Sequence, residues 1–331
     1  MSRSTSPAPV LPPWRRTLLQ EEARRLGLTA PEAAGALALL AGAAREPGRP
    51  PGPAPAPRAL PWGHTTLSLG TRTLIMGVIN MTDDSFSGDG LGRDREAALA
   101  RAEALVAAGA DLLDVGGEST RPGARPVPAA EERARVVPTV EYLASRLKVP
   151  LSVDTRKAVV AEAALAAGAG AVNDVSGLRY DPALARVVAR AGATLILGHW
   201  RAGLTWTRPV AAVVRGLRAS VARALAAGCA PDRLAIDPGL GFAKPAWVSL
   251  ALLRELHRLR VLGLPLVVGP SRKGFIGRVL GPEEQFSWEG TAAAVALAIA
   301  GGADIVRVHD VARLARVVRM ADAIVRPSAG A

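Results

Sequence analysis

Short apolar segments alternate with longer segments rich in Ala, Leu and Arg along most of the chain. Eight apolar segments have the length of a strand, at 73–79, 112–115, 151–153, 171–173, 194–197, 234–236, 266–268 and 305–308. A helical pattern follows each of them, and a glycine marks the end of several helices, at Gly109, Gly168, Gly192, Gly228 and Gly302. Apolar strands that alternate with helices predict a parallel sheet. Eight such units over about 250 residues favour an α/β fold of the (β/α)8 TIM-barrel type over the alternative, an open doubly wound sheet.

The region before the first of these strands has a different composition. Residues 1–13 are rich in Ser, Pro and Ala, which predicts disorder, and a broken leucine stripe in residues 14–44 predicts one or two short helices. Residues 45–61 are proline-rich, which is typical of an extended linker. We therefore divide the chain into an N-terminal extension, residues 1–64, and a barrel domain, residues 65–331.

Composition and charge argue against a membrane protein, a disulfide-bonded protein and a nucleic-acid-binding protein. No apolar segment reaches the roughly 18 residues of a membrane span, and the single cysteine, Cys229, excludes an internal disulfide, so we expect a cytoplasmic protein without a membrane partner. The net charge of +12 raises the question of a nucleic-acid partner. We expect no nucleic-acid partner, because the arginines are scattered and aromatic residues make up only 4%, too few for a base-stacking surface. A phosphorylated, acidic small substrate fits the positive charge equally well.

Polar residues follow all eight predicted strands. In a (β/α)8 barrel the active site lies at the carboxyl ends of the strands. The segment DLLDVGGESTRPGA shows the pattern well, since Asp114 lies inside an apolar strand and two glycines open a loop of hydrogen-bonding residues. A single buried carboxylate is often structural, but eight polar strand ends together predict a ring of ligand-binding groups.

The side chains of this ring fall into three chemical groups. Asp154, Asn173 and Asp237 suit a flat heterocycle that presents several donors and acceptors. The cationic groups, which suit an anion such as phosphate, are Arg272, Lys273, Arg307 and His309. On the first loop, Asn80 and Asp84 offer the oxygen ligands that Mg²⁺ prefers. The motifs HExxH, GxxxxGK[ST] and GxSxG are absent, and we interpret His64 and His257 as surface residues.

Arg307 and His309 are two residues apart on the last strand, so their side chains leave the same face of it. With Ile305 they should line the inside of the barrel, while Val306 and Val308 should face the helices. We therefore expect loss of Arg307 to weaken binding of an anion while leaving that of the heterocycle nearly unchanged.

The segments GVINMTDDSFS, DVGGESTRPGA, SVDTRK, NDVSGL, DPGLGFAK, SRKGFIG and RVHDV resemble the motifs of dihydropteroate synthases, in the same order. The segments TDDSFS, GHWRAG and GLGFAK are most similar to those of actinobacterial-type members. The resemblance implies condensation of 6-hydroxymethyl-7,8-dihydropterin diphosphate with p-aminobenzoate, which gives 7,8-dihydropteroate and diphosphate in folate biosynthesis. It also implies a homodimer and Mg²⁺.

The resemblance further implies roles for particular residues. The pterin would be bound by Asp154, Asn173, Asp237 and Lys273. The diphosphate would be bound by Asn80, Arg307 and His309, together with Thr120 and Arg121 of the second loop. Asn80 would also bind Mg²⁺. The p-aminobenzoate pocket, where sulfonamides also bind, would be bordered by Phe86, Pro122, Phe242 and Lys273. The residues closest to the chemistry would be Asn80, Asp84, Lys273, Arg307 and His309.

Three features depart from the family pattern, and the first of them keeps the alternative of a non-catalytic paralogue open. The first loop has its acidic residue at Asp89, one position later than usual, so the family role of that aspartate does not carry over. The fifth strand ends in Gly198 and His199 instead of Met-His, which predicts a looser pterin floor, and residues 1–64 have no counterpart in the family core. The alternatives are a non-catalytic pterin-binding paralogue and a pterin-dependent methyltransferase, although the latter has no need of the SRK and RVHD motifs.

Overall fold

Eight parallel strands form a closed barrel in the computed structural model, which describes residues 58–82, 90–119, 124–204 and 206–326. The barrel strands are β3 (Leu74–Asn80), β4 (Leu112–Gly116), β5 (Leu151–Asp154), β6 (Ala171–Asp174), β7 (Thr194–Gly198), β8 (Leu234–Asp237), β9 (Val267–Val268) and β10 (Ile305–Val308). Their hydrogen-bonded order is β8-β7-β6-β5-β4-β3-β10-β9. A parallel bridge between Ile236 and Leu266 joins the two ends of this order. The predicted (β/α)8 barrel is therefore confirmed.

A layer of helices surrounds the strands. In chain order the helices are α1 (Arg95–Ala107), α2 (Ala129–Ala144), α3 (Ala158–Ala166), α4 (Ala183–Ala191), α5 (Pro209–Ala226), α6 (Ala246–Arg254), α7 (Gly274–Leu280), α8 (Trp288–Ala300) and α9 (Val311–Val325). Short 3-10 helices cover Pro231–Arg233, Leu256–Leu262 and Pro282–Phe286. Within the described ranges, no helix is both long and apolar enough to span a membrane.

Two hydrophobic clusters divide the barrel into an inside and an outside. Val306 and Val308 belong to the large cluster between strands and helices. Ile305 belongs to a smaller cluster inside the barrel. Because side chains alternate along a strand, Arg307 follows Ile305 on the inner face, as we predicted.

An antiparallel hairpin supplies part of the inner cluster. Its strands are β1 (Arg58–Trp62) and β2 (Thr65–Leu69). Leu60 and Trp62 are at most 1% exposed and pack with barrel residues, and Trp62 Nε1 donates to the carbonyl of Leu151 at 2.9 Å. The predicted boundary at residue 65, and the predicted linker end at residue 61, are therefore wrong, because residues 58–64 belong to the hairpin. The rest of the predicted extension, residues 1–57, lies outside the described residues.

Candidate active site

The carboxyl ends of the strands surround a cavity of about 1540 Å³. Seven residues that the sequence proposed for the site line it: Asn80, Asp154, Phe242, Arg272, Lys273, Arg307 and His309. Asn173 and Asp237 lie beside these, buried at the ends of β6 and β8. The other candidates, Asp84, Phe86, Asp89, Thr120, Arg121 and Pro122, lie outside the described residues. The described candidates thus meet at one end of the barrel.

Asp114 lies at the centre of a buried hydrogen-bond network. Its side chain on β4 is fully buried and accepts from Ser152 Oγ at 2.6 Å, Asn173 Nδ2 at 3.0 Å and Arg307 Nε at 2.6 Å. These three donors come from β5, β6 and β10. The network satisfies a carboxylate that would otherwise be costly to bury, and it fixes the amide of Asn173.

Arg307 joins Asp114 to Asp154. While its Nε donates to Asp114, its Nη2 donates to Asp154 Oδ2 at 2.8 Å. Burial raises the pKa of Asp154 to about 7, and the nearby Asp114 carboxylate adds to the rise while the positive charge of Arg307 opposes it. The guanidinium that the sequence assigned to an anion therefore also holds two carboxylates, one of them a predicted pterin residue. This contact argues against our expectation that loss of Arg307 would leave binding of the heterocycle nearly unchanged.

Asp237 ends β8 and turns into the next loop. Its Oδ1 accepts from the backbone N–H of Gly239 at 2.6 Å. Burial raises the pKa of Asp237, although the positive charges of Lys273 and Lys244 act in the opposite direction. A carboxylate in this position can accept hydrogen bonds from a ring bound above it.

Lys273 and Phe242 meet at the edge of the cavity. The ammonium of Lys273 lies 3.8 Å from the centroid of the Phe242 ring, a cation–π contact. The same ring stacks on Trp200, with centroids 5.9 Å apart and planes inclined by 30°. The arrangement gives an aromatic wall that ends in a cation, which suits an aromatic acid.

His309 and Asn80 also line the cavity, at the ends of the neighbouring strands β10 and β3. His309 Nδ1 lies 3.0 Å from Ser271 Oγ, so the loop after β9 orients the imidazole. Asn80 Oδ1 accepts from Thr82 Oγ1 at 3.0 Å. Arg307 lines the same cavity.

A second charged cluster, which the sequence analysis missed, anchors the loop after β4. The Glu118 carboxylate accepts from Lys157 Nζ at 2.9 Å, from Arg156 Nη2 at 3.0 Å and from the N–H of Val127 at 3.1 Å. Lys157 also pairs with the buried Glu132 of α2. Burial alone would raise the pKa of Glu118, but the hydrogen bonds from Lys157 and Arg156 lower it. Opposite charges directly after two neighbouring strands were the signal that could have revealed this cluster.

Comparison with known proteins fits this geometry. The family model described as "Pterin binding enzyme" matches residues 76–309. A dihydropteroate synthase of Synechocystis is 44% identical over 278 residues, which cover 82% of this chain and 96% of that relative. The chain belongs to the dihydropteroate synthase family.

Solved structures of the dihydropteroate synthase family have the same fold. The Xanthomonas albilineans enzyme with 4-aminobenzoic acid has a TM-score of 0.75 at 42% identity, over 81% of this chain and 98% of that one. The Yersinia pestis enzyme with a sulfonamide drug has a TM-score of 0.75 at 37% identity, over 81% and 99%. As a member of this family the chain is a pterin-binding transferase of folate biosynthesis. Neither alternative, the methyltransferase or the non-catalytic paralogue, finds support in these comparisons.

One departure from the dihydropteroate synthase pattern has a different consequence from the one we expected. Gly198 does not leave a loose floor, because a Cβ at this position would lie 2.5 Å from the Cα of Val175. The backbone after β6 fills the space of the missing side chain. The neighbouring His199 stays neutral, since burial and the charge of Lys244 lower its pKa to about 3.

Proposed function

We propose that the chain joins 6-hydroxymethyl-7,8-dihydropterin diphosphate to p-aminobenzoate in this cavity and releases diphosphate. The observation that carries the proposal is the convergence of buried acceptors, cations and an aromatic wall on one cavity. Measurement of diphosphate release with and without p-aminobenzoate tests it. We expect release that depends on p-aminobenzoate and equals the dihydropteroate formed. Binding of the pterin without any release would instead indicate the non-catalytic paralogue.

The pterin is held by Asp154, Asn173, Asp237 and Lys273 in this proposal. The carboxylates of Asp154 and Asp237 accept hydrogen bonds from ring N–H and amino groups, and the amide of Asn173 both donates and accepts. The network around Asp114 supports the role, because it holds Asn173 and, through Arg307, Asp154 in fixed positions. A rigid set of acceptors favours one orientation of a flat ring.

The diphosphate lies nearest Arg307, His309 and Asn80 in this proposal, and the family resemblance adds Thr120 and Arg121. As the C–O bond to the diphosphate breaks, negative charge collects on the leaving group, and preorganised donors stabilise it. The amine of p-aminobenzoate then forms the new C–N bond and loses a proton. The reaction needs no protein nucleophile, and Cys229 is buried between α5 and β8, where its Sγ contacts the carbonyl of Ala185 at 3.4 Å.

The p-aminobenzoate pocket is bordered by Phe242 and Lys273 in this proposal, and the family resemblance adds Phe86 and Pro122. The aromatic wall and its cation match an aromatic ring with a carboxylate. The relatives with 4-aminobenzoic acid and with a sulfonamide support the proposal that both kinds of molecule bind this chain.

In this proposal Asn80 would hold Mg²⁺ together with the diphosphate. Magnesium is usually bound by one or two protein oxygens together with substrate phosphates. Asn80 fits that role with its amide oxygen, and no group of three His, Cys, Asp or Glu side chains forms a metal cage in the described part of the chain. Bound there, the ion would neutralise charge on the leaving group. Calorimetry should show that Mg²⁺ tightens diphosphate binding to the wild type more than to Asn80→Ala.

The protein acts as a cytoplasmic homodimer on small molecules, without a nucleic-acid or membrane partner. An apolar groove on α8 and α9 supports the dimer, since Leu297, Met320 and Ile324 on it are 60%, 63% and 66% exposed. Sedimentation of Leu297→Asp should show monomers. The matched variant Val261→Asp, at a 68% exposed apolar residue outside the groove, should remain dimeric.

A further inference from the structure

The loop between β8 and α6 folds around one buried ammonium group. Within it, Gly239, Gly241 and Ala243 have left-handed backbones, with φ of 67°, 76° and 46°. A Cβ at Gly239 would lie 2.2 Å from the carbonyl oxygen of His199 and 3.1 Å from Lys244 Nζ. The backbone therefore approaches Lys244 so closely that no side chain fits between them.

Lys244 donates to three backbone carbonyls. Its side chain is 8% exposed, and Nζ contacts Gly239 O at 2.8 Å, Phe242 O at 3.2 Å and His199 O. Three acceptors use all three N–H groups of an ammonium. Two of them lie on the loop and one at the end of β7, so Lys244 ties the loop to the neighbouring strand.

The positions of two site residues, Asp237 and Lys273, depend on the path of this loop. The N–H of Gly239 orients Asp237, and the ring of Phe242 packs under the ammonium of Lys273. The backbone of Gly241 also lies against Lys273, because a Cβ there would be 3.4 Å from Lys273 Cδ. A shift of the loop would therefore displace Asp237 and Lys273 together.

We propose that Lys244 is a positioning residue for the pterin diphosphate site, acting through the loop 238–244 on Asp237 and Lys273. Burial lowers the pKa of Lys244 to about 7, with Asp237 opposing the shift and Lys273 adding to it. Burial of this amine without a carboxylate partner in the described residues is costly, and its bonds to three carbonyls compensate for the cost while they fix the loop. The proposal rests on the pterin roles of Asp237 and Lys273 given above.

The test compares Lys244→Met, which removes the donors at similar volume, with Lys148→Met, an exposed lysine at the opposite end of the barrel. In Lys244→Met, KM for the pterin diphosphate should rise about tenfold while kcat changes less than about threefold, since Arg307 and His309 are untouched. Hydrogen exchange should become faster at the amides of Gly239, Gly241 and Phe242, which are hydrogen-bonded in the native loop. Lys148→Met should match the wild type in both measurements.

Lys244→Arg is the second variant, because it keeps the charge but cannot place three donors in the same narrow space. We expect it to fold and to raise KM as well. Wild-type KM in Lys244→Arg would mean that charge alone suffices, and wild-type KM in Lys244→Met would mean that the residue only packs; either result overturns the proposal. Faster exchange across the whole barrel would do the same. Lys273→Met tests the pterin role of Lys273 separately from the positioning role of Lys244. If this variant binds pterin diphosphate as tightly as the wild type, the pterin role of Lys273 is wrong, independently of the results for Lys244.

Discussion

Replacement of Arg307 by Met tests the central network of the site. The change removes the cation between two carboxylates, whose contacts with it are 2.6 Å to Asp114 and 2.8 Å to Asp154. Removal of one partner from a buried ion pair costs about 3–5 kcal/mol. Asp114 keeps two other donors, Ser152 and Asn173, so we expect a loss near the lower limit, about 3 kcal/mol in the free energy of unfolding.

The loss should depend on pH through Asp154. In the wild type burial raises the pKa of Asp154 to about 7, so the folded protein binds more protons than the unfolded chain between about pH 4 and pH 7. Protonation of Asp154 therefore stabilises the folded protein. This contribution to the free energy of unfolding is complete below the unfolded pKa and is lost as the pH rises through about 7. Without Arg307 the pKa rises further, so this loss continues to higher pH. The difference in free energy of unfolding between the wild type and the variant should therefore be larger at about pH 8.5 than at about pH 6.

Urea denaturation at both pH values measures the effect. Arg190→Met is the matched control, because Arg190 and its partner Glu162 are each 64% exposed, and such pairs contribute little. Calorimetric titration should also show weaker binding of the pterin itself, with and without its diphosphate, because Arg307 holds Asp154 and, through Asp114, Asn173. A loss no larger than that of the control, or one equal at both pH values, would refute the argument.

Three further predictions concern Asp237, the hairpin and Gly198. Asp237→Asn should weaken binding of pterin diphosphate by about 1.5–3 kcal/mol in calorimetry, whereas Asp232→Asn, exposed at the other end of β8, should not. Trp62→Ala should lower the free energy of unfolding by about 3–5 kcal/mol, whereas deletion of residues 1–57, which ends before the hairpin, should leave an active barrel with a cooperative melt. Gly198→Ala should cost about 1–3 kcal/mol in urea denaturation, because the added Cβ meets backbone that cannot yield easily.

The barrel could be predicted because its signal is local. A buried parallel strand is a short apolar segment, and the helices between strands end in glycine, so both can be recognised without knowing which strands are neighbours. The prediction of a polar ring needed only one further fact, that the carboxyl ends of parallel strands lie at the same end of a barrel.

The hairpin was missed because its signal is weak and lies beside a proline-rich stretch. The buried residues of β1 and β2 are Leu60, Trp62, Leu67 and Leu69, which follow a period of two. Two apolar positions per strand are too few to separate a strand from a linker. Leu60 and Trp62 are core residues because they fill the open end of the barrel. That end exists only in the closed barrel, so a local sequence pattern does not reveal it.

The partners of the site residues could not be predicted for a related reason. Asp114 meets Arg307 across a sequence separation of 193 residues, and Lys244 meets the carbonyl of His199 across 45. Each contact depends on barrel closure or on the path of a loop. The sequence therefore indicated which side chains carry the chemistry, whereas the groups that orient them became visible only in three dimensions.

The division between core and site follows from the alternation of side chains along the strands. The inner cluster contains Leu112, Ala171, Ala235 and Ile305 from four of the barrel strands. Two residues later on the same strands come Asp114, Asn173, Asp237 and Arg307. Because residues two apart share a face, the site is the next layer of side chains above the apolar core. Gly198 follows Ile196 in the same way, and there the layer is completed by the backbone beside Val175. A substitution in the lower layer should therefore alter ligand binding by tilting the side chain above it, even where it touches no ligand.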